Sequence, residues 1–387
     1  MRGAPGAGKS TWIKTFGLQP YTLCADEIRL MFQGPVMNHE TGKMCISQKN
    51  DNKVWKLLFE LLEQRMQRGE LCVVDACHSK TQDFSRYKKL AEEYRYRVYC
   101  IDLTSIPLNV CKLHNQGREE VKFVPEHILE NIYSRFETQN PPSFVTVIKY
   151  DDIEKIKAFL RWKPMDFNEY DNVVVFGDIH GCFQPLKSYF EIHPFNDKTK
   201  YVFTGDYIDR GIQNKEVVEW LLDNYMKPNV VLLEGNHEKW LKAFANGDYD
   251  VELKAGVKDK CRSSEFFFNT AEQLKDFDKK RLRELCRKFW QICYFEFDGK
   301  KFIVSHAGVG FMPESIMKVS ADSFIRGERY EDPIDEWFCK NNHDENLFQI
   351  HAHRNVEDIE SNKFNHSFNL CDKVEFGKFL RVMEISK

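Results

Sequence analysis

The sequence predicts an α/β protein of two consecutive units, each a largely parallel sheet flanked by helices. Three observations predict it. Apolar strand-like runs alternate with segments of helical periodicity. That alternation lapses once, over a weakly patterned stretch before residue 173. Each strand-like run also ends in polar or glycine residues, where a loop should begin and where α/β sheets place their ligands.

The first series opens on a helical segment. Asn52 to Arg68 carries Val54, Leu57, Leu58, Leu61, Leu62 and Met66 at helical spacing, and Gly69 stops it. Leu71–Ala76 and Arg97–Leu103 read as buried strands, and Val124-Pro125 opens a helix to about Glu137, with Pro125 in its first turn. Lys163–Asn172 reads as a connector, so units are expected at 1–162 and 163–387. In the second series, strands are expected at Val173–Asp178, Tyr201–Asp206, Val230–Asn236 and Phe302–Gly308. Ala271–Phe289 reads as a helical insertion whose charge run is a solvated face.

A hydrophobic content of 42% with 31 Phe and 7 Trp indicates packed cores rather than disorder. The net charge of -3 provides no global basic field, so a polyanionic substrate would have to be held by local basic groups. None of the 12 cysteines forms C-x-x-C; the closest pairs are Cys72 with Cys77 and Cys286 with Cys293, which suits scattered thiols in a reducing compartment. No apolar stretch approaches the ~18 residues of a membrane span. A soluble, cytoplasmic protein with no membrane partner is expected.

Two motif groups carry chemistry. Gly3-Ala-Pro-Gly6-Ala-Gly8-Lys9-Ser10, followed by Thr11, fulfils G-x-x-x-x-G-K-S, in which glycines let backbone N–H groups turn toward phosphates. Lys9 would reach the β/γ-phosphates and Ser10 would ligate Mg²⁺. Asp26 could accept the proton of an attacking hydroxyl, and Arg29, one turn on, could hold a substrate phosphate. Asp75, at a strand end, could orient Mg²⁺ or act as a helix cap, and His78 reads as structural. The second group is spread over five segments: Asp178 and His180 in GDIHG, Asp206, Asp209 and Arg210 in GDYIDRG, Asn236, His237 and Glu238 in GNHE, His306 in SHAG and His353 in HAHRN. Carboxylate, amide and imidazole at successive strand ends suit a pair of Mn²⁺, Fe or Zn²⁺ ions sharing a bridging Asp.

In this order, the phosphate cradle, D-x-x-R, and an Arg118 in His114-Asn-Gln-Gly-Arg118 resemble the kinase domain of phage and bacterial polynucleotide kinase–phosphatases. The five-segment pattern resembles the binuclear metallophosphoesterase (calcineurin-like) superfamily, which implies an α/β domain with a two-sheet core. The resemblance implies Asp26 as general base on a 5′-hydroxyl, Arg29 on the acceptor strand and Arg118 as lid arginine. ATP with Mg²⁺ would lie on Gly3, Gly6, Gly8, Lys9, Ser10 and Thr11. It further implies Asp178, His180 and Asp206 on one metal, and Asp206, Asn236, His306 and His353 on the other, Mn²⁺ being expected. His237, oriented by Asp209, would protonate the leaving group, with Arg210 and Arg326 clamping phosphate.

Departures from those patterns are specific. The family has a full strand before its cradle, whereas this sequence starts at Met1-Arg2-Gly3, so the first strand is expected to be missing and the cradle's N-terminal arm to lack a sheet partner. Glu234 stands where phosphoprotein phosphatases carry Arg, His351 competes with His353, and Asp372 is either a late acidic site residue or a turn. The resemblance implies an enzyme that heals nucleic-acid ends, as a 5′-kinase and a 3′-phosphatase or 2′,3′-cyclic phosphodiesterase. Its partner would be RNA, passed to a separate RNA ligase. Two rivals stand beside it. One is a phosphoprotein or dinucleoside-polyphosphate phosphatase with a regulatory nucleotide-binding unit; the other makes the N-terminal half a binding module without transfer activity.

Overall fold

A computed structural model describes residues 1–247, 266–354 and 364–387. The chain divides into two compact units, 1–162 with 315–320, and 163–314 with 321–387.

In the first unit the strands are β1 (Thr22–Cys24), β2 (Val36–Met37), β3 (Met44–Cys45), β4 (Val73–Asp75), β5 (Val98–Asp102) and β6 (Val145–Lys149). β1 pairs with β4 and β5 with β6, both parallel, as helical crossovers require; β2 and β3 form a short antiparallel hairpin. Met1–Gly3 lies between the two parallel pairs. The Met1 amine donates to the Val74 carbonyl at 3.1 Å, Arg2 N–H to Ile101 O at 2.9 Å, and Leu103 N–H to Arg2 O at 2.8 Å. The expectation that the cradle's N-terminal arm lacks a sheet partner is therefore corrected: three residues bridge the central slot, and Gly3 N–H is satisfied by Cys77 O. The helix Asp51–Gln67 buries Val54, Leu58, Leu62 and Met66, one residue per turn on one face, with Leu57 and Leu61 at its margins. Pro125 caps the helix Glu126–Ser134 rather than entering its first turn, because its extended ψ of 142° is not helical. His78 is buried between Met1 O and the Tyr87 hydroxyl, a structural role.

The second unit is a sandwich of two sheets. Its strands are β7 (Met165–Asp166), β8 (Asn172–Phe176), β9 (Thr199–Phe203), β10 (Val230–Leu232), β11 (Ile292–Phe297), β12 (Lys300–Ser305), β13 (Leu347–His351), β14 (Ser367–Asn369) and β15 (Val382–Ser386). One sheet runs β10-β9-β8-β15 and the other β14-β13-β12-β11-β7. Strand alternation divides the apolar runs between two cores. Val173, Val175, Val202 and Val231 face Phe295, Phe297, Phe302, Val304 and Ile350 of the second sheet, whereas Val174, Phe176, Tyr201, Phe203 and Leu232 face the helices. Residues buried on both faces explain the unbroken hydrophobic runs in the sequence. Over Ala271–Phe289 the expected helix is shorter: turns fill 271–276 and only Lys279–Cys286 is helical, because the Asp278 side chain caps the Lys280 N–H and starts the helix there. Its apolar residues Leu274, Leu282, Leu285 and Phe289 are buried beneath the charged face. Among the described residues no helix is long and apolar enough to cross a membrane.

Phe176 is fully buried and stacks on Phe203 at 4.4 Å between ring centroids. Replacing it with Ala should destabilise the second unit by about 3–5 kcal/mol, read as a lowered urea midpoint; an unchanged midpoint would contradict this core assignment.

Candidate metal centre and phosphate cradle

Five loops at the carboxyl ends of β8, β9, β10, β12 and β13 deliver the metal-type side chains. Backbone geometry there is unusual: His180, Asp206, Asp209, Arg210 and His353 all have positive φ, between 45° and 73°. Such conformations cost roughly 1–3 kcal/mol each in non-glycine residues and gather where function over-determines the backbone.

Asp206 lies at the centre. Its Oδ2 is 3.5 Å from Nε2 of His180 and 3.2 Å from Nε2 of His306, while Oδ1 accepts the His237 N–H at 3.0 Å. His306 donates Nδ1–H to the Thr204 carbonyl at 3.0 Å, which leaves Nε2 facing Asp206 and, at 3.2 Å, Oδ1 of Asn236. His180 Nδ1 lies 3.3 Å from the Ile208 carbonyl, which turns Nε2 toward Asp206 and Arg210. Asp178 Oδ2 accepts the His353 N–H at 3.0 Å; its Oδ1 is 3.6 Å from His306 Nδ1, buried, and without a hydrogen-bond partner among the described residues. Donor atoms of His180, Asp206 and His237 lie within 4.8 Å of one another, as do those of Asp206, His306 and His353.

The electrostatics show what the cage requires. Burial pushes the Asp178 carboxyl up. Burial also opposes ionisation of Asp206, but the adjacent His306 and His180 outweigh it and hold that carboxyl well below its usual range. His306 is raised to about 9 because Asp206 and Asp178 overcome the burial that works against its charge. These acids stay ionised only with positive charge among them. An orphaned buried oxygen, imidazoles tautomerically set by carbonyls, and a mixed O/N donor set all fit a pair of divalent cations.

Around the cage, His237 Nδ1 is 2.7 Å from Asp209 Oδ2, which leaves Nε2 as its remaining ring nitrogen. Asp209 raises the His237 pKa against the effect of burial. Arg210 Nη1 lies 3.1 Å from His180 Nε2 and 2.8 Å from Glu375. The Arg326 guanidinium pairs with Asp322 one turn earlier at 3.2 Å, and Lys239 feels the charges of that pair together with those of Asp206 and Asp209. His351 is turned away, with Nε2 2.9 Å from Asp335. Asp372 pairs with Arg381 at 3.2 Å, and Glu234 with Lys242.

Sequence reasoning assigned no role to Glu238, although it stands in the GNHE motif. Fully buried, its carboxylate accepts the N–H groups of Asp206 at 3.0 Å, Tyr207 at 3.0 Å and Gly235 at 2.7 Å, tying the β9 loop to the β10 loop. Arg354 straps the loop after β12 to residues 329–332 through the carbonyls of Ala307, Arg329 and Tyr330. Glu375 and Thr270 also went unnoticed, since neither sits in a motif.

In the first unit Gly6 and Gly8 have φ of 81° and 87°, and a Cβ on Gly6 would collide with the Cys111 carbonyl. The helix Lys9–Thr15 starts at the cradle, and Thr11 is exposed on it. Lys9 Nζ rests 3.0 Å from the Gly3 and Ala4 carbonyls. Ser10 Oγ donates to Asp75 at 2.8 Å, an oxygen pair that suits Mg²⁺. Asp26 and Arg29 pair at 2.7 Å, and Asp51, which the motif reading did not include, holds Arg29 from a second side at 3.0 Å. His114, on the helix Leu108–Gln116, touches the cradle at the Gly6 carbonyl, 3.0 Å away; Arg118, just after that helix, makes no hydrogen bond to the cradle among the described residues.

Comparison with known proteins matches residues 172–380 to the calcineurin-like phosphoesterase model and residues 1–139 to an AAA domain. The chain is 30% identical over 135 residues to the symmetrical bis(5′-nucleosyl)-tetraphosphatase of Buchnera aphidicola subsp. Acyrthosiphon pisum (strain Tuc7), covering 34% of this chain and 42% of that protein. It is 44% identical over 80 residues to the serine/threonine-protein phosphatase 6 catalytic subunit of Caenorhabditis elegans, covering 20% and 24%. The chain thus spans less than half the length of these relatives. A crystal structure of a putative diadenosine tetraphosphatase covers 58% of this chain and 91% of its own at 15% identity and a TM-score of 0.36.

Glu238→Ala should weaken Mn²⁺ binding about 10–100-fold in calorimetric titration, because the loops carrying Asp206 and Asn236 lose their common acceptor. Undiminished affinity would contradict that role.

Proposed function

We propose, from the premise that this chain belongs to the calcineurin-like phosphoesterase family, that it heals polynucleotide ends with two active sites. The second unit would remove a 3′-phosphate or open a 2′,3′-cyclic phosphate. The first would phosphorylate a 5′-hydroxyl from ATP. The observation that carries this reading is that one chain holds both a phosphate cradle with its Ser10–Asp75 pair and a buried two-centre acid–imidazole cage.

At the cage, divalent cations held by Asp178, His180, Asp206, Asn236, His306 and His353 would supply Lewis acidity for water attack on phosphorus. The residues of the chain do the rest. Asp209 fixes the His237 ring so that Nε2 delivers a proton to the leaving alkoxide. Arg210, steadied by Glu375, presents its guanidinium to a phosphate oxygen. At the cradle, Lys9 would neutralise the β/γ-phosphates and Asp26 would take the proton of the attacking hydroxyl, with Arg29 released from Asp26 and Asp51 to a strand phosphate. Arg118 would close over the transferring group. The products suit a separate RNA ligase acting in the cytoplasm, and Mn²⁺ is the metal we propose for the cage.

The relatives' names favour a second reading, hydrolysis of a dinucleoside polyphosphate or a phosphoprotein, with the first unit as a nucleotide-binding regulator. The assay that separates them presents RNA bearing 5′-hydroxyl and 3′-phosphate ends with labelled ATP and Mn²⁺. Lys9→Ala should abolish only 5′ labelling, and Asp178→Ala only 3′ dephosphorylation. Turnover of diadenosine tetraphosphate or a phosphopeptide, with no polynucleotide labelled or dephosphorylated, would replace the healing assignment with the rival.

A further inference from the structure

Asp209 uses both carboxylate oxygens. Oδ2 accepts the Nδ1–H of His237, and Oδ1 accepts the hydroxyl of Thr270, which is fully buried and comes from a segment 61 residues further along. Thr270 closes the helical turn Phe266–Thr270, anchored by Phe266 in the helix-side core. Three residues on, Gln273 Oε1 accepts the N–H groups of Asn214 at 2.9 Å and Lys215 at 3.3 Å. Asn214 Oδ1 in turn accepts the Asp209 N–H at 2.7 Å. The segment 270–273 therefore grips Asp209 twice, at its carboxylate directly and at its backbone through Asn214.

We infer that Thr270 is a positioning residue for phosphoester cleavage: its hydroxyl immobilises the second oxygen of Asp209, so that the carboxylate holds the His237 ring in the orientation from which Nε2 protonates the leaving oxygen. Without that donor, one oxygen of a buried carboxylate is left unsatisfied, the carboxylate is free to turn, and the ring it holds turns with it. No proton passes through Thr270. Water adds to phosphorus as the bond to the leaving oxygen breaks. His237 gives its Nε2 proton to that oxygen and regains one from solvent, into which the attacking water's proton has passed. Thr270 keeps its own hydrogen throughout.

The inference rests on His237 as the acid, and the test separates the two. Proton donation matters most when the leaving group is a poor one, so rates are compared on a nucleoside 3′-phosphate and on p-nitrophenyl phosphate, whose leaving group needs no proton. Thr270→Val should lower kcat on the nucleoside 3′-phosphate about tenfold, leave KM and the nitrophenyl rate nearly unchanged, and preserve bound metal, with the melting temperature lowered only modestly. Thr270→Ser, which restores a hydroxyl, should recover the rate. Equal losses on both substrates would mean a merely structural Thr270 and overturn the inference, as would no loss on either. His237→Asn, measured alongside, should show the same leaving-group dependence more strongly. If it shows none, the acid assignment fails and the inference with it; if it does and Thr270→Val does not, only the inference fails.

Discussion

Two buried carboxylates, Asp178 and Asp206, share a small space with the imidazoles of His180, His306 and His353, and the second unit is arranged around that confinement. Both acids are at most 5% exposed. Isolated carboxylates so removed from water would cost many kcal/mol or take up a proton. Divalent cations at their centre would keep both ionised, and what keeps them together is a backbone that cannot relax. Left-handed conformations at His180, Asp206 and His353 turn these side chains inward. Gly205 and Gly235 permit the β9 and β10 loops to pass so closely that a Cβ on Gly235 would strike the Asp206 amide. Glu238 then satisfies three amides that this close approach turns inward. Strain of this kind persists only on a stiff support, which the aromatic-rich sandwich supplies.

The motifs were legible because each candidate ligand sits within a few residues of a strand end, where an apolar run gives way to polar residues. Asp178, Asp206, Asn236 and His306 all announce themselves in that way. The strands β8 and β9 were equally readable as apolar runs, since residues buried on both faces leave those runs unbroken, while the division of their residues between two cores was not. Residues that act through partners distant in sequence were not legible. Glu375 meets Arg210 across 165 residues, and Thr270 meets Asp209 across 61. Nothing local marks either as part of a site. Arg326 shows the limit from the other side: motif order singles it out, but its pairing with Asp322 one turn back on its own helix is set by local helical spacing.

The first unit carries a related lesson. The sequence lacks the run of apolar residues by which a central strand is recognised, yet Met1–Gly3 makes backbone bonds to both neighbouring strands. Strand pairing requires only that amides and carbonyls meet, as those of Met1 and Arg2 do with β4 and β5. Periodicity detects strands through their side chains, so a bridge this short escapes it.

The two sites also differ in how tightly their charges are held. At the cradle, Asp26 and Asp51 are 42% and 45% exposed, so water screens their hold on Arg29. Their partner Arg29 is only 11% exposed, so its guanidinium needs an anion beside it, and an incoming phosphate can take the place of these half-exposed carboxylates. At the cage the pairing groups are almost wholly enclosed, and no side chain there can leave its partner without stranding a buried charge. A site with exchangeable pairs is organised by its ligand, whereas one with enclosed pairs must be organised beforehand by the fold. That difference gives weight to the hydrogen bonds from Glu238, Thr204 and Ile208 that orient the candidate ligands from behind.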